Sequence, residues 1–192
     1  MQAQILSALS HPVIAAVHRR DQLARAAGSD CAAVFILGGD ILDIADWVSL
    51  VKGAGKQAYV HLDLLEGVGR DAAGVRFVAR VAAPDGVIST KAALLRMAQD
   101  EGLTTIHRLF LLDSASFSTG VKMVASSKAD LVEVMPALVP KGIARMGELI
   151  GRPVIAGGMV VDAADARSAL AAGARAVSTS HEPLWFRPGL GG

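Results

Sequence analysis

PVIAGGMVVDAADARSALAAGARAVSTS, residues 153–180, is the stretch from which the fold follows. It opens on a short apolar run, Val154–Gly157, and closes on another, Ala176–Thr179. Between them Asp162 is placed to cap a helix over Asp162–Ala172, and Gly173 to stop it. A strand, a helix and a second strand in this order form a βαβ unit with parallel strands. Neither run alternates with polar residues, as expected of strands buried on both faces.

The same unit repeats toward the N-terminus. Further apolar runs lie at Val13–Val17, Ala33–Leu37, Ala58–Asp63, Gly86–Thr90, Thr105–Leu111 and Leu131–Met135. Helical segments are predicted over Asp21–Ala27, Ile41–Ala54, Ala72–Val81, Lys91–Glu101, Ser114–Ser126 and Pro140–Ile150. Strand starts recur about every 23 residues, a regular spacing for repeated βα units. Eight units favour a closed barrel, because an open flavodoxin-like sheet would leave strands over. The predicted fold is therefore α/β, a compact TIM-type (β/α) barrel, with residues 1–192 as a single domain.

The length tests that reading. Such barrels usually take about 250 residues, with about 200 near the lower limit. Only residues 181–192 follow the eighth run, and they include Pro183 and Pro188. The last helix is thus expected to be missing or rudimentary. The flank it leaves needs cover, from Gln2–Leu9, from Leu184–Phe186 or from a partner subunit, so a homo-oligomer is one expectation.

Composition removes several classes of function. The chain is 52% hydrophobic and 19% charged, which excludes a disordered protein. No apolar run approaches the roughly 18 residues of a membrane span, and the start carries no secretory signal pattern. A cytoplasmic protein without membrane partners is the expectation. Cys31 is the single cysteine, so neither an internal disulfide nor a cysteine-rich metal site can form. A net charge of +1 supplies no global field toward nucleic acid, and aromatics at 4% offer few stacking platforms. Arg70, Arg76, Arg80, Arg145, Arg152, Arg167 and Arg175 read as solvated helix and loop surface.

In a barrel of this type, ligand groups gather where strands end. Gly157 and Gly158 follow the seventh run, and Thr179 and Ser180 end the eighth. Glycines let a backbone approach an anion, and small hydroxyls add donors, so a phosphate site is predicted at these two loops. Arg108 and Glu133 lie within apolar runs on neighbouring predicted strands. They read either as a buried structural ion pair or as an arginine oriented toward a ligand by its carboxylate. Asp63, Glu66 and Lys91 could form a polar pocket for hydroxyls. Lys91 is also a Schiff-base candidate, and Asp63 with Glu66 could hold a divalent ion, although no spacing is diagnostic. The histidines are too scattered for a metal motif, and the favoured reading needs no cofactor and no metal.

Six strings carry a resemblance: HLDLLEG (His61 to Gly67), DGVISTK (Asp85 to Lys91), HRLFLLDS (His107 to Ser114), VEVMPALVPK (Val132 to Lys141), PVIAGGMV (Pro153 to Val160) and AGARAVSTSHEPLW (Ala172 to Trp185). Together and in order, they resemble the glycerol uptake operon antiterminator family from about Pro12 to Trp185. The resemblance implies a non-enzymatic regulator that senses glycerol 3-phosphate and acts on leader mRNA to prevent premature termination of glycerol-utilisation genes. Carried over, it implies a ligand pocket of Asp63, Glu66, Lys91, Arg108, Asp113 and Glu133, with phosphate on Gly157, Gly158, Thr179 and Ser180. Arg19 joins this set beside His18, where the family usually has a basic residue. The rival reading is a barrel enzyme on a small phosphorylated metabolite. Short loops leave little room for a lid, which favours a sensor.

Overall fold

The computed structural model describes residue 5 and residues 8–186. Eight strands close into one parallel barrel in sequence order: β1 (Val13–Val17), β2 (Ala33–Ile36), β3 (Gln57–His61), β4 (Gly86–Ser89), β5 (Thr104–Phe110), β6 (Leu131–Met135), β7 (Val154–Gly157) and β8 (Ala176–Thr179). Seven α-helices connect them: α1 (Arg20–Ala27), α2 (Ile44–Gly53), α3 (Ala72–Phe77), α4 (Ala92–Asp100), α5 (Ser114–Ser127), α6 (Pro140–Ile150) and α7 (Ala163–Ala171).

Three predicted boundaries move for physical reasons. The third strand stops at His61 because Leu62–Leu64 turn into a 3-10 helix that carries Asp63 across the mouth. The second helix starts at Ile44 because the Asp40 carboxylate first accepts the amides of Leu42 and Asp43 in a turn. The third helix widens into a π-helical turn over Val78–Ala82 and ends at Ala83, whose backbone is left-handed.

Side chains alternate along the strands and divide the core in two. Val13, Ala15, Val17, Val34, Ile36, Val132 and Val134 face the helices. Ile14, Phe35, Tyr59, Ile88, Ile106, Leu131 and Ile155 face inward and fill the barrel. Phe35 and Tyr59 meet edge to face there, with ring centres 5.8 Å apart.

Among the described residues no α-helix follows β8, and the chain itself closes that flank. After β8, a 3-10 helix over Glu182–Phe186 lays Leu184 and Trp185, both buried, against β1 and α1. Trp185 Nε1 donates to the Thr179 carbonyl at 2.8 Å, and Asp30 N donates to the Trp185 carbonyl at 3.0 Å. Glu182 is paired with Arg25 at 2.7 Å. The expected alternative, Gln2–Leu9, takes another place as far as it is described. Ile5, Ala8 and Leu9 pack against the inward-facing cluster at the base of the barrel, while residues 2–4, 6 and 7 lie outside the described residues.

Candidate functional site

The inward positions turn polar at the C-terminal ends of the strands. Arg108 on β5 and Glu133 on β6 are direct register partners, so their side chains leave the sheet side by side. Arg108 Nε donates to Glu133 Oε2 at 2.6 Å. Glu133 is fully buried and Arg108 is 7% exposed. The other carboxylate oxygen, Oε1, accepts the Ser178 hydroxyl of β8 at 2.5 Å. To reach Ser178, the carboxylate must cross β7. It crosses at Gly157, where an added Cβ would sit 2.5 Å from both Glu133 Oε1 and Ser178 Oγ. Gly157 thus serves this internal network. Gly158, with φ +76°, then turns the chain into the loop after β7.

Above the network lies a cavity of about 370 Å³. Its walls include His18, Leu37, Arg108, Glu133, Met135, Gly158–Val161 and Ser178–His181. Among the described residues, Arg108 makes no hydrogen bond to protein beyond the one from Nε, so its two terminal nitrogens remain as donors at this cavity. Burial lowers the pKa of His18, and the charges of Arg108 and Arg19 lower it further.

A second polar cluster lies across the mouth, at β3 and β4. Asp63 Oδ2 accepts the Ser89 hydroxyl at 2.8 Å and the Thr90 amide at 2.9 Å. Lys91 Nζ stands 3.7 Å from Asp63 Oδ1, and His61 Nδ1 stands 3.8 Å from Oδ2. Burial would raise the Asp63 pKa, but the hydrogen bonds from Thr90 and Ser89 and the charges nearby outweigh it and hold it below the usual range. Burial, followed by the Arg108 charge, pushes His61 down to about 4.

The sequence-derived candidates therefore fall into three groups. Arg108, Glu133, Gly157, Gly158, Thr179 and Ser180 meet at the main cavity or directly beneath it. Asp63 and Lys91 form the opposite cluster. Arg19, Glu66 and Asp113 lie outside both, although Glu66 borders a surface depression after β3 that Asp63 also lines. Arg19 is exposed and paired with Asp21 at 3.0 Å. Glu66 is exposed on the loop after β3, its backbone bridged to Asp40. Asp113 caps α5, accepting the Ser116 amide at 2.7 Å.

Within the β8 pair the roles differ from a simple donor row. Thr179 lies beside Ala15 in register and faces the helices, and its hydroxyl donates to the Val160 carbonyl at 2.7 Å. Ser178 lies beside Ile14 and faces inward. Ser178 was not among the predicted site residues, although strict alternation along β8 points to it.

The fold and site define a small (β/α) barrel with an arginine-bearing polar cavity at the strand ends. Residues 13–185 match the model of the family described as glycerol-3-phosphate responsive antiterminator. The chain is 43% identical over 175 residues to the Escherichia coli (strain K12) protein YgcP, covering 91% of this chain and 92% of YgcP. It is similar to the crystal structure of a glycerol uptake operon antiterminator regulatory protein from Listeria monocytogenes, with TM-score 0.87 and 28% identity over 91% of this chain and 95% of that one. A glycerol uptake operon antiterminator-related protein from Thermotoga maritima superposes with TM-score 0.80 at 33% identity, over 90% and 96% of the two chains. This chain belongs to the glycerol-3-phosphate responsive antiterminator family. Among the described residues, no helix is long and apolar enough to cross a membrane.

Proposed function

We propose that this chain is a regulator that binds glycerol 3-phosphate in the barrel mouth and acts on leader mRNA of glycerol-utilisation genes. The phosphate is taken by the loops after β7 and β8, at Gly158 and Ser180, with the terminal nitrogens of Arg108 supplying charge. Glu133 holds the guanidinium in place, Gly157 lets Glu133 reach Ser178, and Thr179 braces the β7 loop. Asp63 and Lys91 take the ligand's hydroxyls from the opposite wall. Arg19, Glu66 and Asp113 stand at the rim and bear on the ligand only if their loops close over it.

The observation that carries this reading is Arg108: an arginine in a barrel interior, clamped at one nitrogen and presenting the other two to a cavity. A planar fork of this kind suits a phosphate monoester. An enzymatic reading through Lys91 lacks such support. Its side chain is 51% exposed, without the apolar surroundings that activate a Schiff-base lysine.

The test is a calorimetric titration with glycerol 3-phosphate, followed by an electrophoretic shift of leader RNA with and without the ligand. Removing the Arg108 guanidinium deletes charge-assisted bonds of about 1.5–3 kcal/mol, or roughly 10- to 150-fold in affinity. Unchanged affinity would refute the pocket assignment. Ligand-independent RNA binding would refute regulation by this ligand, since a ligand shifts only states it binds differently.

A further inference from the structure

We propose that Lys128, Arg152 and Arg175, at the end of the barrel opposite the mouth, form the surface that contacts the phosphates of the leader RNA. This assignment rests on the antiterminator reading above and adds the face on which the RNA lies.

The three cations come from three successive turns that enter β6, β7 and β8. Lys128 ends α5 in a left-handed conformation at φ +54°, Arg152 follows the Gly151 stop of α6, and Arg175 follows the Gly173 stop after α7. They border adjoining depressions of about 180, 460 and 360 Å³, and Arg152 takes part in all three. Lys128 shares two of these with Arg152, and Arg175 shares the third. All three side chains are exposed, and none makes an ion pair or side-chain hydrogen bond among the described residues. Of the cations toward the mouth, Arg19 is held by Asp21, Arg20 by Asp43 and Lys91 by Asp63, whereas Lys141 is exposed with no ion pair among the described residues.

Two acids border the depressions. The Asp130 carboxylate is turned into the fold, where Oδ2 accepts the Thr105 amide and hydroxyl, each at 2.9 Å. Glu148 is exposed beside Arg152 and Arg175, leaving a cationic excess. Unpaired cations flanking narrow depressions match a single-stranded phosphate backbone, which binds chiefly through charge neutralisation. The location fits as well. RNA on this face leaves the ligand cavity open, so both can bind at once, as positive coupling between ligand and RNA requires. The competing explanation is local: cations near helix C-termini offset the helix dipole.

The experiment uses the full chain and a labelled transcript of a glycerol-operon leader, with binding followed by fluorescence anisotropy across a salt series. Each phosphate contact on a single strand contributes about 0.7 to the slope of log K against log salt. The triple variant Lys128→Gln, Arg152→Gln, Arg175→Gln should flatten that slope by about 2 and weaken binding about 100-fold at 0.1 M salt. Its glycerol 3-phosphate affinity should stay unchanged. The variant Lys128→Arg, Arg152→Lys, Arg175→Lys should retain binding. If the neutral triple variant does not fold, Arg152→Gln alone should flatten the slope by about 0.7. Variants with an unchanged slope overturn the face, including where melting temperature falls and the cations serve only the helix ends. Wild-type protein that binds no RNA overturns the antiterminator reading itself. Binding to anionic lipid vesicles in place of RNA overturns both.

Discussion

Replacing Arg108 alone should destabilise the fold more than replacing it together with Glu133, while both changes should abolish binding alike. Glu133 is fully buried, and its protein partners in the structure are Arg108 Nε at 2.6 Å and Ser178 Oγ at 2.5 Å. Arg108→Met strands the carboxylate in the interior with the serine alone. Breaking a buried pair in this way costs about 3–5 kcal/mol. For a chain of this size that lowers the melting temperature by roughly 6–20 °C. The double variant Arg108→Met, Glu133→Leu removes both charges at similar volume, and such exchanges are often neutral or stabilising. Its residual cost is the Ser178 hydroxyl left without an acceptor, about 1–3 kcal/mol. The double variant should therefore be more stable than the single one, with a coupling energy of about 2 kcal/mol or more. Guanidinium chloride unfolding of wild type, both single variants and the double variant measures that energy. Calorimetry on the refolded double variant should still find glycerol 3-phosphate binding lost, because the guanidinium is gone. Additive destabilisation would refute the description of Arg108 and Glu133 as a coupled buried pair. Retained binding in the stable double variant would refute the role given to Arg108.

Two further outcomes follow from the packing and charge of the barrel. Trp185→Ala empties the flank that lacks a helix and should cost about 3–5 kcal/mol, the range for deleting a buried aromatic, read as a fall in melting temperature; a loss under 1 kcal/mol would mean that the flank is covered by something else. His61, held at about 4 against an ordinary 6.5, binds fewer protons folded than unfolded between those values, so its contribution is complete above pH 6.5 and lost as pH falls toward 4. That amounts to about 3 kcal/mol across the window, and denaturation curves from pH 7 to 4 should show His61→Asn flattening it.

The barrel was legible because its signal is periodic and repeated. Four strands, β1, β6, β7 and β8, fall where the apolar runs place them, since parallel strands covered on both sides need uninterrupted apolar residues. That no α-helix follows β8 among the described residues was legible from Pro183, close after that strand. The cover of that flank could be narrowed only to alternatives, because choosing Leu184–Phe186 over Gln2–Leu9 depends on where a 3-10 turn points an indole. The polar cluster at the strand ends was legible by residue type and strand end, and less so by side-chain direction. Arg108 and Glu133 stood out as charges inside apolar runs, and they are partners. Asp113 and Arg19 had the same chemistry, but local backbone geometry assigned them to a helix cap and a surface pair.

The β8 residues show what a finer reading could have reached. Side chains alternate along a strand, so Ser178 and Ser180 share a face and Thr179 takes the other. Ala15 opposite Thr179 belongs to the helix-facing core and Ile14 opposite Ser178 to the barrel interior, which fixes the assignment. The same parity explains Gly157. An inward position between Glu133 and Ser178 in strand order must lack a side chain if the two are to meet across β7. A glycine there reads in sequence as room for an anion to approach the backbone. In the folded chain its first effect is to let a buried carboxylate, itself an anion, cross to a serine, and that carboxylate then orients the arginine at the cavity.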